Sequence, residues 1–135
     1  MSFFLIALIA AVIGQIVGWV WFMPLFGKKW MWIVSDNQSQ EMQYPMWIPL
    51  VINLVINYIF AFALFFLFGI LGVPNMTAAF IVAAIVLIGF TLPMQIGAVL
   101  WNGKSWKKQL AGFGISFGFQ VVYFVIMALL FGWLA

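Results

Sequence analysis

The chain has 135 residues, 68% of them hydrophobic and only 5% charged, whereas soluble domains carry about a quarter charged residues; a soluble globular fold is excluded. It has no cysteine and no histidine, so disulfides, thiolate nucleophiles and the commonest metal ligand are absent, and neither a metal nor a cofactor is expected. The net charge of +3 comes from lysines that flank apolar runs, a membrane pattern and not a nucleic-acid one.

A hydrocarbon core needs about 20 apolar residues per helix, and four such runs follow one another. The first covers residues 3–25. It lacks a basic leader and a small-residue cleavage site, so it reads as a retained span and not a signal peptide. A loop over 26–44 holds the only polar run, with Asp36 and Glu41. The second span covers 45–71 and opens on Pro45, suited to a first helical turn. A tight turn at 72–75 leads to a third span over 76–101. A short loop at 102–108 precedes the fourth span, 109–133. The expected fold is all-α: one domain, a four-transmembrane-helix bundle.

Every charged side chain falls in two loops: Lys28, Lys29, Asp36 and Glu41 in one, Lys104, Lys107 and Lys108 in the other. With four spans these loops share a side. Five lysines against none place both loops in the cytoplasm and both termini outside. Tryptophan follows the same asymmetry. Trp30, Trp32, Trp47, Trp101 and Trp106 mark the basic side, with Trp19 and Trp21 deeper, and only Trp133 marks the other. An aromatic belt at headgroup level explains this; a tryptophan-lined site near the inner leaflet is the sharper alternative.

Gly27-Lys-Lys-Trp30 follows the first span and Gly103-Lys-Ser-Trp106 the third. Two hairpins in the same orientation would form a parallel repeat.

No span contains Asp, Glu, Lys, Arg or His, which disfavours proton coupling and acid–base catalysis within the bilayer. Neutral polar residues are patterned instead: Gln15; Asn53 and Asn57; Thr91 and Gln95, extended by Asn102; Ser116, Gln120 and Tyr123. Spacings of three, four and seven put each set on one helix face. Small residues share these faces: Ala7, Ala11, Gly14 and Gly18, then Ala84 and Ala98, then Gly112. Such faces point at other helices. They serve either as interhelical hydrogen bonds that fix the bundle, or as a polar cavity built from Gln15, Asn53, Asn57, Gln95, Gln120 and Tyr123. Gly114 and Gly118 form a second small face on the fourth span, which suggests a homo-oligomer or a protein partner in the membrane. Pro93, mid-span, predicts a kink that frees the Gly89 carbonyl.

The most specific stretch is Gly18-Trp-Val-Trp-Phe-Met-Pro-Leu-Phe-Gly-Lys-Lys-Trp30. With the later Gln95–Trp106 segment, it resembles the small bacterial four-span membrane proteins catalogued as domain of unknown function 1761. Gly18, Trp21, Pro24, Phe26, Gly27, Lys28 and Trp30 fit that signature, while Phe22 stands where the family often has tyrosine. The resemblance implies the same fold and a bacterial inner-membrane location, and it assigns no function. From the residues themselves, the cytoplasmic set Trp21, Lys28, Lys29, Trp30, Lys104, Trp106, Lys107 and Lys108 fits lipid headgroups.

The resulting expectation is a protein without catalytic residues, an accessory, assembly or lipid-associated subunit with membrane lipids as partners. The alternative is a binding or transport protein for a small neutral or amphipathic molecule, not proton-coupled. An enzyme acting on lipids is the least supported.

Overall fold

The computed structural model describes residues 2–34, 45 and 47–134. The polar run with Asp36 and Glu41 lies outside the described residues, as does most of the expected 26–44 loop beyond residue 34. Six α-helices follow in order: α1 (Phe3–Val20), α2 (Gly27–Val34), α3 (Trp47–Leu71), α4 (Met76–Val86), α5 (Leu92–Leu100) and α6 (Trp106–Leu134). Two π-helical turns interrupt them, Trp21–Leu25 after α1 and Leu87–Thr91 between α4 and α5. Four helical stretches are long and apolar enough to cross a membrane: Phe3–Leu25, Trp47–Leu71, Met76–Leu100 and Trp106–Leu134.

The boundaries differ from expectation at the lysine-bearing end. The fourth span starts at Trp106, three residues early, with Ser105 Oγ accepting from the Lys108 amide at 3.4 Å. A serine before a helix satisfies a first-turn N–H that would otherwise lack a partner. The expected first loop begins as helix α2, because its sequence is amphipathic: Ile33 is buried while Lys28 and Lys29 are exposed. At the opposite end the turn fits the expectation. Gly72 takes φ +66°, its N–H donates to the Gly69 carbonyl at 3.2 Å, and that of Val73 donates to the Phe68 carbonyl at 3.0 Å. This pair of bonds closes a helix through a left-handed residue, which suits glycine. Asn75 Oδ1 then accepts from the Ala78 amide at 2.9 Å and opens the third span.

The first and fourth spans form the interior of the bundle: the first packs along the second and also against the fourth, and the third packs on the fourth. The second and third barely meet. A two-fold relating the two hairpins would make the second–third contact match the first–fourth one. It does not, so the repeat in the sequence has no symmetric counterpart in the packing.

Small residues explain the first span's interior position. Ala7, Ala10 and Ala11 are fully buried, and Gly14 and Gly18 are buried beside them, which lets neighbouring backbones approach. Where backbones stay apart, aromatic rings fill the gap: Phe131 of the fourth span meets Phe68 of the second edge-on at 4.7 Å and stacks near Phe65 at 6.1 Å.

The third span buries a different face from the one expected. Ala84 and Ala98 are exposed; Ala79, Ala83, Leu87 and Thr91 are buried. A π-helical turn holds one residue more than an α-turn. The Leu87–Thr91 turn therefore aligns Thr91 with Ala83, eight residues back, where an unbroken helix would align it with Ala84. Pro93 follows this turn, and both Gly89 and Pro93 are exposed, so the helix irregularity is there but its exposed side faces out of the bundle.

Candidate functional site: an amide-floored groove and a basic end

The Gly18–Trp30 segment folds into a clasp. Trp21 leaves α1 at the start of the first π-turn, closed by the Phe26 amide donating to the Trp21 carbonyl at 3.1 Å. That geometry sends the Trp21 indole across to the fourth span, where its Nε1–H donates to the Ile115 carbonyl at 2.8 Å. Gly118 makes room for the ring: a Cβ there would lie 2.9 Å from Trp21 Cζ2. Phe26 packs on the Trp21 ring at 5.0 Å, and Phe22 lies edge-on to Trp30 at 4.7 Å and 5.7 Å from Phe119. Two expectations change here. Trp21, expected at the interface, also latches the first span to the fourth through its bond to the Ile115 carbonyl. Gly118 is covered from within, so only Gly114, with nothing within 4 Å of an added Cβ, remains of the outward small face.

Gly14 and Gly18 do the packing expected of them. A Cβ on Gly14 would lie 2.6 Å from Tyr123 Cε1, and one on Gly18 3.3 Å from Phe119 Cε2. The seated Tyr123 donates its hydroxyl to the Asn57 backbone carbonyl at 2.8 Å. The amides do not gather into one cluster. Asn53 Nδ2 donates to Gln15 Oε1 at 2.8 Å, and Gln15 Nε2 donates to the Leu50 carbonyl at 3.1 Å. Asn57 is buried and its Nδ2 has no partner among the described residues; the same is true of Gln95 Oε1 in the third span. Thr91 is buried beside that turn, and Gln120 is half-buried.

The Gln15–Asn53 pair lies on the floor of a side-opening groove of about 490 Å³ between the first and second spans, walled by Trp19, Phe22, Trp30 and Phe119. A second hollow of about 450 Å³, walled by Ile48, Ile52 and Ile56, shares Pro49 and Asn53 with it. Among the described residues, no charged side chain lines either one.

At the basic end, α2 packs against the start of α6, with Ile33 Cγ2 at 3.4 Å from where a Cβ on Gly112 would lie. This joins the two lysine-bearing segments. Lys29 Nζ and Lys108 Nζ lie 5.6 and 5.5 Å from the ring centre of Trp32, and Lys107 Nζ lies 5.7 Å from that of Trp106. Lys28 is exposed, and the Lys104 amide donates to Asn102 Oδ1 at 3.0 Å.

Phe119, the Leu50 and Ile115 carbonyls, and the pairing of Trp32 with Lys108 escape the reading of the sequence, although Trp32 itself is read there as a marker of the basic side. Trp32 meets Lys108 across 76 positions, a tertiary contact with no local spacing. Backbone acceptors leave no mark in a sequence. Phe119 is one of many apolar residues in its span, and nothing local sets it apart.

No curated protein and no solved structure matches the chain significantly. Residues 5–132 match the family described as protein of unknown function (DUF1761), and this clasped four-span chain belongs to that family.

Proposed function

We propose that this protein is a non-catalytic, lipid-associated module of the bacterial inner membrane that binds anionic headgroups at its basic end. The convergence of Lys29 and Lys108, from separate segments, on the single Trp32 ring carries this reading. Cation–π contacts favour holding both ammonium groups there, at the border where anionic lipids attract polybasic segments. Lys107 and Lys108 also sit in the first turn of α6. Lysines are unfavourable beside the positive end of a helix dipole, and an anion offsets that cost. Both lysine-bearing segments lie on the cytoplasmic side in this reading, and a protein partner or second copy in the membrane completes its accessory role.

Transport through the bundle is less favoured. Gln15 and Asn53 pair with each other, and Tyr123 is tied to the Asn57 carbonyl, so the polar residues form separate contacts and not a path.

The test is native mass spectrometry of the purified chain with phosphatidylglycerol and phosphatidylcholine. Retained phosphatidylglycerol, reduced in Lys29→Gln/Lys108→Gln, supports the reading. Equal retention of the two lipids by the unaltered chain sinks it.

A further inference from the structure

We propose that the two hollows meeting at Asn53 are one binding site for a neutral two-chain glyceride, a lipid whose uncharged head carries a hydroxyl and an ester carbonyl.

The hydrogen-bonding inventory comes first. Asn53 spends one N–H on Gln15 Oε1. An amide has two N–H donors and a carbonyl oxygen, so one N–H and Oδ1 remain open. The residue is exposed where it lines both hollows. Six residues separate it from Trp47 at the start of the second span, about 9 Å along a helix. At that depth water is scarce, and polar groups without partners are costly. A head with one donor and one acceptor satisfies both open positions: its hydroxyl donates to Asn53 Oδ1, and its ester carbonyl accepts the second N–H.

Shape selects the tails. Two hollows leave the shared Pro49 and Asn53 in different walls, one aromatic with Trp19 and Phe22, the other aliphatic with Ile52 and Ile56. A polar point at the junction of two apolar arms matches a lipid with two chains. Their volumes, about 490 and 450 Å³, lie within the usual range for ligand sites. A prenyl quinone fits less well, because it only accepts hydrogen bonds and has one tail. A phospholipid fits less well because no lysine among the described residues lines the groove to pair its phosphate, and an unpaired phosphate is strongly disfavoured below headgroup level.

This site is independent of headgroup binding at Trp32. The test uses the full chain, stripped of lipid in mild detergent and offered dioleoylglycerol, a short-chain prenyl quinone or phosphatidylglycerol, with bound lipid counted by native mass spectrometry. One dioleoylglycerol per chain is expected, and Lys29→Gln/Lys108→Gln should leave it unchanged. Asn53→Leu should weaken it about tenfold, the size expected for two hydrogen bonds lost in an apolar setting. Ile52→Trp, which fills the aliphatic arm and leaves the amides alone, should weaken it as well and serves if Asn53→Leu does not fold. Preference for the quinone or for phosphatidylglycerol at this site, dioleoylglycerol binding indifferent to both substitutions, or no binding of dioleoylglycerol overturns the proposal.

Discussion

Trp21 reaches across 94 positions of sequence to donate its indole N–H to the carbonyl of Ile115 at 2.8 Å. The bond joins the end of the first span to the fourth, and the ring beneath it rests on Gly118. The family signature is thus first an instruction for assembly. Trp21→Phe keeps an aromatic ring and deletes the donor. It should cost about 1 kcal/mol, the scale of interhelical hydrogen bonds in membranes, read as a lower unfolding midpoint in mixed micelles; Trp21→Ala should cost more through the lost packing.

Glycine substitutions should separate the two faces of the helices. Gly14→Ala forces a Cβ to 2.6 Å from Tyr123 Cε1, and overpacking of this kind costs about 1–3 kcal/mol. Gly114→Ala meets nothing within 4 Å and should be neutral or slightly stabilising, since alanine suits helices better than glycine. Thermal melts of the two variants in one detergent check the contrast.

Asn57 and Tyr123 should respond in opposite directions. Tyr123→Phe removes the bond to the Asn57 carbonyl and should destabilise by about 1 kcal/mol. Asn57→Leu removes a buried Nδ2 that has no partner among the described residues. An unsatisfied buried donor costs about 1–3 kcal/mol, so this substitution should leave stability unchanged or raise it. A large loss of stability in Asn57→Leu would mean that the amide has a partner, such as an internal water.

The turn between the second and third spans makes a local test. Gly72 holds φ +66°, and alanine there should cost about 1 kcal/mol, the penalty of a left-handed conformation for a residue with a Cβ. Asn75→Ala loses the cap on the Ala78 amide, for a similar cost of about 1 kcal/mol. Equilibrium unfolding of each variant gives the values.

Orientation has its own assay. The chain has no cysteine, so a single thiol reports without background. Ser105→Cys should react with a membrane-impermeant maleimide only after the cells are opened, and Val73→Cys should react in intact cells. The reverse pattern would refute a cytoplasmic basic end.

Spans are legible in the sequence because a bilayer demands about 20 apolar residues in a row, and the lysines lie outside the apolar runs, Lys107 and Lys108 in the first turn of the fourth helix. The small face Ala7, Ala11, Gly14 and Gly18 was legible too, since α1 keeps an unbroken helical period across it. The third span was misread at Ala84 and Ala98 for the opposite reason: the π-turn at Leu87–Thr91 shifts the period by one residue, and composition gives no warning of it. In the candidate site Gln15 and Asn53 were found as polar exceptions in apolar runs. Their mutual bond, and their separation from Gln95, depended on which spans are neighbours, and amphipathic patterns do not encode that.

The pairing of the first span with the fourth carries a consequence for biosynthesis. The residues that receive Gly14, Gly18 and Trp21 are Tyr123, Phe119 and Ile115 with Gly118, all in the fourth span, which leaves the ribosome after the other three. The first two spans emerge together and can pair at once. The clasp must stay open through the making of the third span, its tryptophan waiting in the bilayer for a carbonyl that does not yet exist. Truncation just before residue 115 should therefore leave an inserted chain that is unlatched and readily degraded, a quality-control checkpoint set by the order of the helices.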